Sequence, residues 1–78
     1  MYVHILKSLK LPSRFYFGST KDVKQRLAQH NIGESTYTRS LRPWKLQTAF
    51  WFSEANKAIQ FERYLKSQSG RAFSVKHF

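Results

Sequence analysis

Glu62 is the residue whose position in the chain is hardest to explain by folding alone. The chain has four acidic residues against 14 Lys and Arg, which gives a net charge of +10. Residues 53–66 have the periodicity of an amphipathic helix, and Glu62 falls within its apolar stripe of Ala55, Ala58, Ile59, Phe61 and Leu65. A carboxylate in that position costs free energy unless a cation or hydrogen bonds pair with it. We therefore predict that Glu62 pairs with a metal ion or an arginine at a functional site.

A second pair of candidate residues, Arg26 and His30, is spaced by one helical turn and so shares one helix face. A guanidinium holds a phosphate through two hydrogen bonds and stabilises charge that develops in a transition state. An imidazole accepts or relays a proton near neutral pH. Taken alone, Arg26 as a snorkelling surface residue and His30 as a surface or capping residue explain the spacing equally well. The misplaced carboxylate of Glu62 favours a site.

The third pair, His4 and Tyr16, lies on two predicted strands that form a hairpin. A hairpin that turns about Lys10 places the two rings side by side on one face of the sheet. Gly18 ends the second strand where a larger side chain would crowd a ligand or a helix. Aromatic packing is the alternative explanation, and for Tyr16 it is the more common one.

The elements that position these residues follow from local patterns. Strands are predicted at 2–7, 14–18 and 46–52. A first helix is predicted to begin at the capping residue Thr20, with Asp22 in its first turn, and a second helix, capped by Ser53, is predicted at 53–66. The first helix ends near Asn31 or Gly33, residues 33–45 read as a loop, and residues 71–78 as a short final helix. The order β-β-α-β-α predicts one α+β domain over residues 1–78, with helices on a small, mainly antiparallel sheet.

Composition narrows the class of partner. Without cysteine the chain has no disulfide framework, thiolate metal site or thiol nucleophile. The absence of a long apolar run predicts a soluble, intracellular protein of the cytoplasm, where association with the nucleoid fits the charge. The basic residues are spread over the whole chain, which favours nucleic acid as the partner over an anionic membrane surface. No membrane partner and no organic cofactor are expected.

The ordered set of motifs resembles the GIY-YIG nuclease family over nearly the whole chain. The motifs are Tyr-Val-His-Ile-Leu-Lys-Ser at 2–8, Tyr-Phe-Gly-Ser-Thr at 16–20, Arg-Leu-Ala-Gln-His-Asn at 26–31, Tyr-Thr at 37–38, Arg-Pro-Trp-Lys-Leu at 42–46 and Phe-Glu-Arg-Tyr-Leu-Lys at 61–66. The chain looks most like small stand-alone members related to the nuclease domain of the bacterial excision-repair protein that makes the 3′ incision. The resemblance implies a three-stranded antiparallel sheet flanked by helices.

The resemblance also implies roles for the residues that match the family's motifs. Glu62 matches the carboxylate that binds one divalent ion, Mg²⁺ or Mn²⁺, and Arg26 matches the arginine that contacts the scissile phosphate. Tyr16 matches the tyrosine in the second half of the family's two-part motif. His30 matches a position at which family members carry His or Tyr. The implied reaction is hydrolysis of phosphodiester bonds in DNA, which includes single-stranded or structured DNA. RNA is a further substrate that the resemblance allows, and it also allows a protein partner. Further nucleic-acid contacts are predicted for Lys21, Tyr37, Arg39, Arg42, Lys45 and Lys66.

His4 departs from the family's pattern, which has a tyrosine at this position. His4 either acts as the base, with a pKa better suited to that role than a tyrosine's, or marks a weakened or altered enzyme. The presence of Glu62, Arg26 and Tyr16 favours an active enzyme. Two alternatives accept the charge equally well: a non-catalytic basic nucleic-acid-binding domain on the same fold, and an RNA-binding structural protein. Neither explains the lone carboxylate of Glu62.

Overall fold

The structure, a computed structural model, describes residues 1–78, with Val75 through its backbone alone. Its elements are the strands β1 (Tyr2–Ser8), β2 (Phe15–Thr20) and β3 (Trp44–Trp51) and the helices α1 (Val23–Asn31), α2 (Thr36–Arg39), α3 (Ala55–Lys66) and α4 (Gln68–His77). β1 lies in the centre of the sheet and pairs antiparallel with both β2 and β3. The predicted α+β fold with a three-stranded antiparallel sheet and flanking helices is confirmed.

The central position of β1 agrees with its sequence, in which Val3, His4, Ile5 and Leu6 form a buried run that points to both faces of the sheet. Val3 and Ile5 point to one face and pack with Phe17 against α3, where they meet Ala58 and Leu65. Leu65 is fully buried in this core, and its truncation to alanine would cost on the order of 3 kcal/mol. The opposite face of β1 carries His4 and Leu6, which are equally buried. The sheet therefore separates the core that holds α3 from a face that buries a histidine.

The caps of two helices differ from the prediction by one or two residues. The side chain of Asp22, and not of Thr20, caps α1 by accepting a hydrogen bond from the Gln25 backbone N–H at 3.0 Å. Thr20 stays in β2, where it pairs with Tyr2, and its hydroxyl accepts from the Asp22 N–H. α3 begins after Glu54 instead of Ser53, with no side-chain cap.

Three boundaries in the polar parts of the chain were also misplaced. The predicted loop at 33–45 contains the helix α2, and β3 starts at Trp44 instead of residue 46. α4 starts at Gln68 instead of residue 71, because the Ser67 hydroxyl caps it by accepting from the Gly70 N–H. Serine is typical of both breaks and N-caps, so this pattern had two interpretations. Within the part of the chain that the structure describes, no helix has the length and apolar character needed to cross a membrane.

Candidate active site

The rings of His4 and Tyr16 pack against the backbone of Gly18, in the space that a side chain at this position would occupy. A Cβ at Gly18 would stand 2.9 Å from Cε2 of Tyr16 and 3.0 Å from Nε2 of His4. The two rings lie diagonally, 6.1 Å apart between centroids, because Gly18 pairs with His4 and Tyr16 pairs with Leu6. The hairpin thus turns about Leu11, one residue later than predicted, which slides the partner strand by two residues and keeps the same side chains on this face.

His4 is buried without any hydrogen-bond partner. Its side chain is 1% exposed, and within the described part of the chain neither ring nitrogen is bonded. Burial, with the charges of His30 and Arg26, lowers the pKa of His4 to about 4, against a smaller opposing effect of Glu62. The imidazole is therefore neutral at pH 7 and keeps a free lone pair. An unsatisfied buried group of this kind is rare unless a ligand or water completes it.

His30 is a second buried imidazole, on the other side of Tyr16. It is fully buried, its ring centroid lies 4.6 Å from that of Tyr16, and its Nδ1 lies 2.7 Å from the Thr38 hydroxyl. Nε2 has no partner among the described residues. Burial and the charge of Arg26 lower its pKa. The alternative of a surface or capping residue is therefore wrong for His30.

The residues that fix His30 were not predicted. The indole N–H of Trp44 donates to the Thr38 carbonyl at 2.9 Å. Asn31 accepts from the Trp44 backbone N–H at 2.6 Å and donates to its carbonyl at 3.0 Å. This network joins α1, α2 and β3 and holds Thr38 against the ring. A tryptophan in an otherwise polar segment was the one signal in the sequence that this part of the chain is buried.

Arg26 lies half-buried on α1, one turn before His30. Its Nη1 donates to Oε1 of Gln29 at 3.1 Å, which orients the guanidinium plane. Its charge contributes to the lowered pKa of both His4 and His30. α1 thus carries a fixed positive charge that acts on both buried imidazoles. The spacing of Arg26 and His30 predicted only that these two side chains share one face of the helix.

Glu62 has a partner that its sequence position did not suggest. Its Oε2 accepts from Nζ of Lys66 at 2.7 Å, one turn along α3, and its Oε1 accepts from the Ser19 hydroxyl of β2. Burial pushes the pKa of Glu62 upward, but the hydrogen bonds from Lys66 and Ser19 outweigh it and leave the pKa below its usual value. The expectation of an arginine partner is wrong, and the carboxylate lies at the edge of the apolar face, 22% exposed.

That edge position arises because the apolar face of α3 is narrower than the helical wheel predicted. Ala58 and Leu65 are buried, whereas Ile59 is 41% exposed. The fold nevertheless brings Glu62 from α3 to the end of β2, where its charge acts on His4 across the sheet.

The residues predicted to contact nucleic acid are all exposed, but two of them already make hydrogen bonds within the protein. Lys21, Arg42 and Lys45 are exposed, and Tyr37 is 80% exposed with its ring centroid 6.5 Å from that of Tyr16. Arg39 and Lys66 are exposed but engaged, Arg39 with the Gly33 carbonyl at 3.0 Å and Lys66 with Glu62. A groove of about 650 Å³ lies along β2 and the preceding turn, where Ser13, Arg14, Phe15 and Tyr16 line it; Tyr37 lines it as well, and so do residues of α3 and α4, among them Lys66 and Arg71.

The donor set around Glu62 fits a hard divalent ion. Among the described residues, no three His, Cys, Asp or Glu side chains are grouped as metal ligands. Mg²⁺ commonly binds through one or two carboxylates and takes its other ligands from water and substrate phosphates, so one carboxylate is sufficient. The Lys66 ammonium on Oε2 marks a position at which a cation is stabilised.

The chain is similar to known proteins over nearly its whole length. A family model described as the GIY-YIG catalytic domain matches residues 1–76. The structure-specific endonuclease subunit SLX1 of Candida dubliniensis is 38% identical over 82 residues, which cover 96% of this chain and 27% of that protein. The slx1 subunit of Talaromyces marneffei is 40% identical over 76% of this chain and 17% of its own length.

A bacterial protein is also similar. A UPF0213 protein of Bacillus licheniformis is 42% identical over 55 residues, which cover 69% of this chain and 57% of that protein. The chain spans about a quarter or less of the length of the two fungal relatives. No solved structure matches it.

Proposed function

Since the chain belongs to the GIY-YIG family, we propose that it is an endonuclease that hydrolyses phosphodiester bonds in DNA with the help of one divalent ion, Mg²⁺ or Mn²⁺. The two fungal relatives described above are named structure-specific endonuclease subunits. By analogy with them, we propose branched or otherwise irregular DNA as the substrate and a protein as a further partner.

One observation carries the proposal more than any other. Three ring nitrogens of His4 and His30 are buried and unpaired among the described residues. Both rings lie near the ring of Tyr16, and the charge of Arg26 acts on both. A structural role would bury an apolar residue there at lower cost, because an unsatisfied polar group loses its hydration. A role of these imidazole nitrogens in binding the substrate and the attacking water would explain why the protein buries them without partners.

The residues then have distinct roles in hydrolysis. The guanidinium of Arg26, oriented by Gln29, binds the scissile phosphate and stabilises the charge that develops on its oxygens. A water attacks phosphorus, and the neutral imidazole of His4 accepts the proton that the water loses. The bond to the leaving oxygen breaks as the new P–O bond forms. Glu62 would hold the divalent ion, which supplies stabilisation of negative charge on the phosphate and the leaving oxygen.

A cleavage assay tests this proposal. The purified protein is incubated with plasmid, single-stranded and flap-containing DNA, each with Mg²⁺, Mn²⁺ or EDTA. We expect cleavage with either metal and none with EDTA, together with binding that weakens as salt increases. Tight, salt-dependent binding without cleavage in either metal would instead support the non-catalytic nucleic-acid-binding domain.

A further inference from the structure

The turn that joins β1 to β2 exposes two leucines on a strongly basic surface. Leu9 is 52% exposed and Leu11 is 47% exposed, and Lys10 lies between them. Isolated apolar residues on a surface are common and need no explanation. Two exposed leucines in one turn that is fixed by hydrogen bonds and surrounded by basic residues are less common and suggest a binding role.

The turn is tied to the neighbouring loop and strand end by hydrogen bonds. The Ser8 hydroxyl donates to the Leu41 carbonyl at 2.6 Å and accepts from the Leu11 N–H at 3.0 Å. The Leu9 N–H donates to the Pro43 carbonyl at 2.9 Å. The Lys10 ammonium donates to the Ser40 carbonyl at 3.2 Å. The backbone is therefore held in one place, and the two leucines are presented outward at little further entropic cost on binding.

The charge around the turn selects the partner. Lys7 pairs across the sheet with Lys45, Arg14 closes the turn, and Arg42 lies in the adjoining loop. A rigid apolar turn surrounded by cations is suited to a partner that carries negative charge and also exposes apolar surface. Nucleic acid with an opened base step has both properties, because its phosphates are charged and the faces of its unstacked bases are apolar. Leucine is among the side chains that proteins insert between base steps.

The position of the turn relative to the site gives the geometry. Leu6 pairs with Tyr16, and Leu9 is three residues further along the chain. At about 3.3 Å per strand residue, Leu9 lies roughly 10 Å beyond the level of Tyr16. Phe15, which pairs with Lys7, lies between these two levels, and it lines a groove together with Arg14, Tyr16 and Tyr37. That distance corresponds to about three stacked nucleotides at 3.4 Å each.

We propose that Leu9 and Leu11 form a wedge that enters an unstacked base step at a branch point, about three nucleotides from the part of the strand that lies at Tyr16. This inference rests on the proposed nuclease function, whose substrate class it deepens. The wedge selects DNA that is already unpaired or weakly stacked, because opening a regular step costs a few kcal/mol. The groove then carries the strand from the branch to the site.

The test uses fluorescence that does not require turnover. A flap DNA carries 2-aminopurine at the branch, and Glu62→Gln protein is added so that no strand is cut. We expect the fluorescence to rise severalfold on binding, and the rise to be lost in a variant that also carries Leu9→Ser and Leu11→Ser. Ile32→Ser, which changes another exposed aliphatic residue (68% exposed) outside the turn, is the matched control and should keep the rise.

Cleavage by the otherwise unaltered protein provides the second readout. The wedge variant should lose about tenfold in its preference for flap over unbranched single-stranded DNA, while the Ile32→Ser protein keeps it. Equal fluorescence and equal preference in the two proteins would overturn the wedge. So would loss of binding to phosphatidylserine vesicles with DNA behaviour unchanged, because the turn would then contact lipid. Failure of all cleavage with the fluorescence effect intact would count against the proposed nuclease and not against the wedge.

Discussion

The ammonium of Lys66 lies 2.7 Å from Oε2 of Glu62, one turn away on the same helix. The pair is partly exposed, with 49% of the Lys66 side chain and 22% of the Glu62 side chain accessible. A divalent ion that binds this carboxylate must compete with the ammonium for Oε2, since both are cations and the second oxygen already accepts from Ser19. If Glu62 holds the proposed divalent ion, Lys66 would compete with that ion as well as being a candidate DNA contact.

Removal of Lys66 should strengthen metal binding. We expect Lys66→Met to bind Mn²⁺ about fivefold more tightly, because an exposed ion pair of this kind is worth up to about 1 kcal/mol and tenfold corresponds to 1.4 kcal/mol. Isothermal titration of Mn²⁺ without DNA measures this directly. Lys57→Met, on the same helix but with no ion pair to Glu62, is the control. Weaker or equal Mn²⁺ binding by Lys66→Met would show that Glu62 and Lys66 do not share the cation position.

Arg26 should be needed for turnover more than for affinity. Arg26→Lys keeps the charge but loses the planar fork that Gln29 orients, so we expect cleavage to fall about 100-fold with little change in DNA affinity. Single-turnover cleavage and equilibrium binding at the same salt concentration separate the two effects. If Arg26→Ala merely weakens binding, in step with Lys57→Ala, Arg26 is one phosphate contact among several.

The pH dependence of cleavage should reflect a buried histidine. The sequence alone predicts a rise in activity near the ordinary pKa of imidazole, but burial and the neighbouring positive groups lower the pKa of His4 to about 4. The neutral form is the base, so its contribution is complete above that pKa and is lost as the pH falls through it. We expect single-turnover cleavage to be independent of this group between about pH 6 and pH 8.

Substitution of His4 separates its titration from that of a metal-bound water, which also ionises in the neutral range. His4→Ala should be nearly inactive. His4→Tyr, which restores the family's usual residue, should retain activity with a rise at a higher pH, since tyrosine ordinarily titrates near 10. Coincident profiles for wild type and His4→Tyr, with full activity in His4→Ala, would make His4 a sheet residue and move the base to Tyr16 or His30.

Much of this arrangement follows from local sequence patterns. Alternation along β1 and β2 placed His4, Tyr16 and Gly18 on one face, and the spacing of Arg26 and His30 placed both on one face of α1. These predictions succeed because strand and helix periods alone decide which side chains share a face. The predicted centre of the hairpin was wrong by one residue, which shifts β2 by two residues relative to β1. Because side chains alternate with a period of two, the shift leaves the same side chains on the same face of the sheet.

The rest depends on contacts between residues that are distant in the sequence. A helical wheel assigns Glu62 to a face but does not give its side-chain rotamer, so the bond to Ser19 of β2 could not be predicted. The partner of His30, Thr38, lies on a short helix whose Ser- and Thr-rich sequence reads equally well as a loop. Its position is set by the Trp44 indole, which local propensity does not describe.

Cleavage by Glu62→Gln protein is the most direct test of the proposed metal-dependent nuclease. The substitution removes the carboxylate charge and the exposed ion pair with Lys66, so the free energy of unfolding should change by no more than about 1 kcal/mol. Glu54→Gln, which alters an exposed acid at the start of the same helix, is the matched control. With Mg²⁺ and flap DNA, we predict that Glu62→Gln binds as tightly as wild type and leaves the DNA uncut, while Glu54→Gln cuts normally. Cleavage by Glu62→Gln at the wild-type rate would contradict the assignment of Glu62 as the metal ligand.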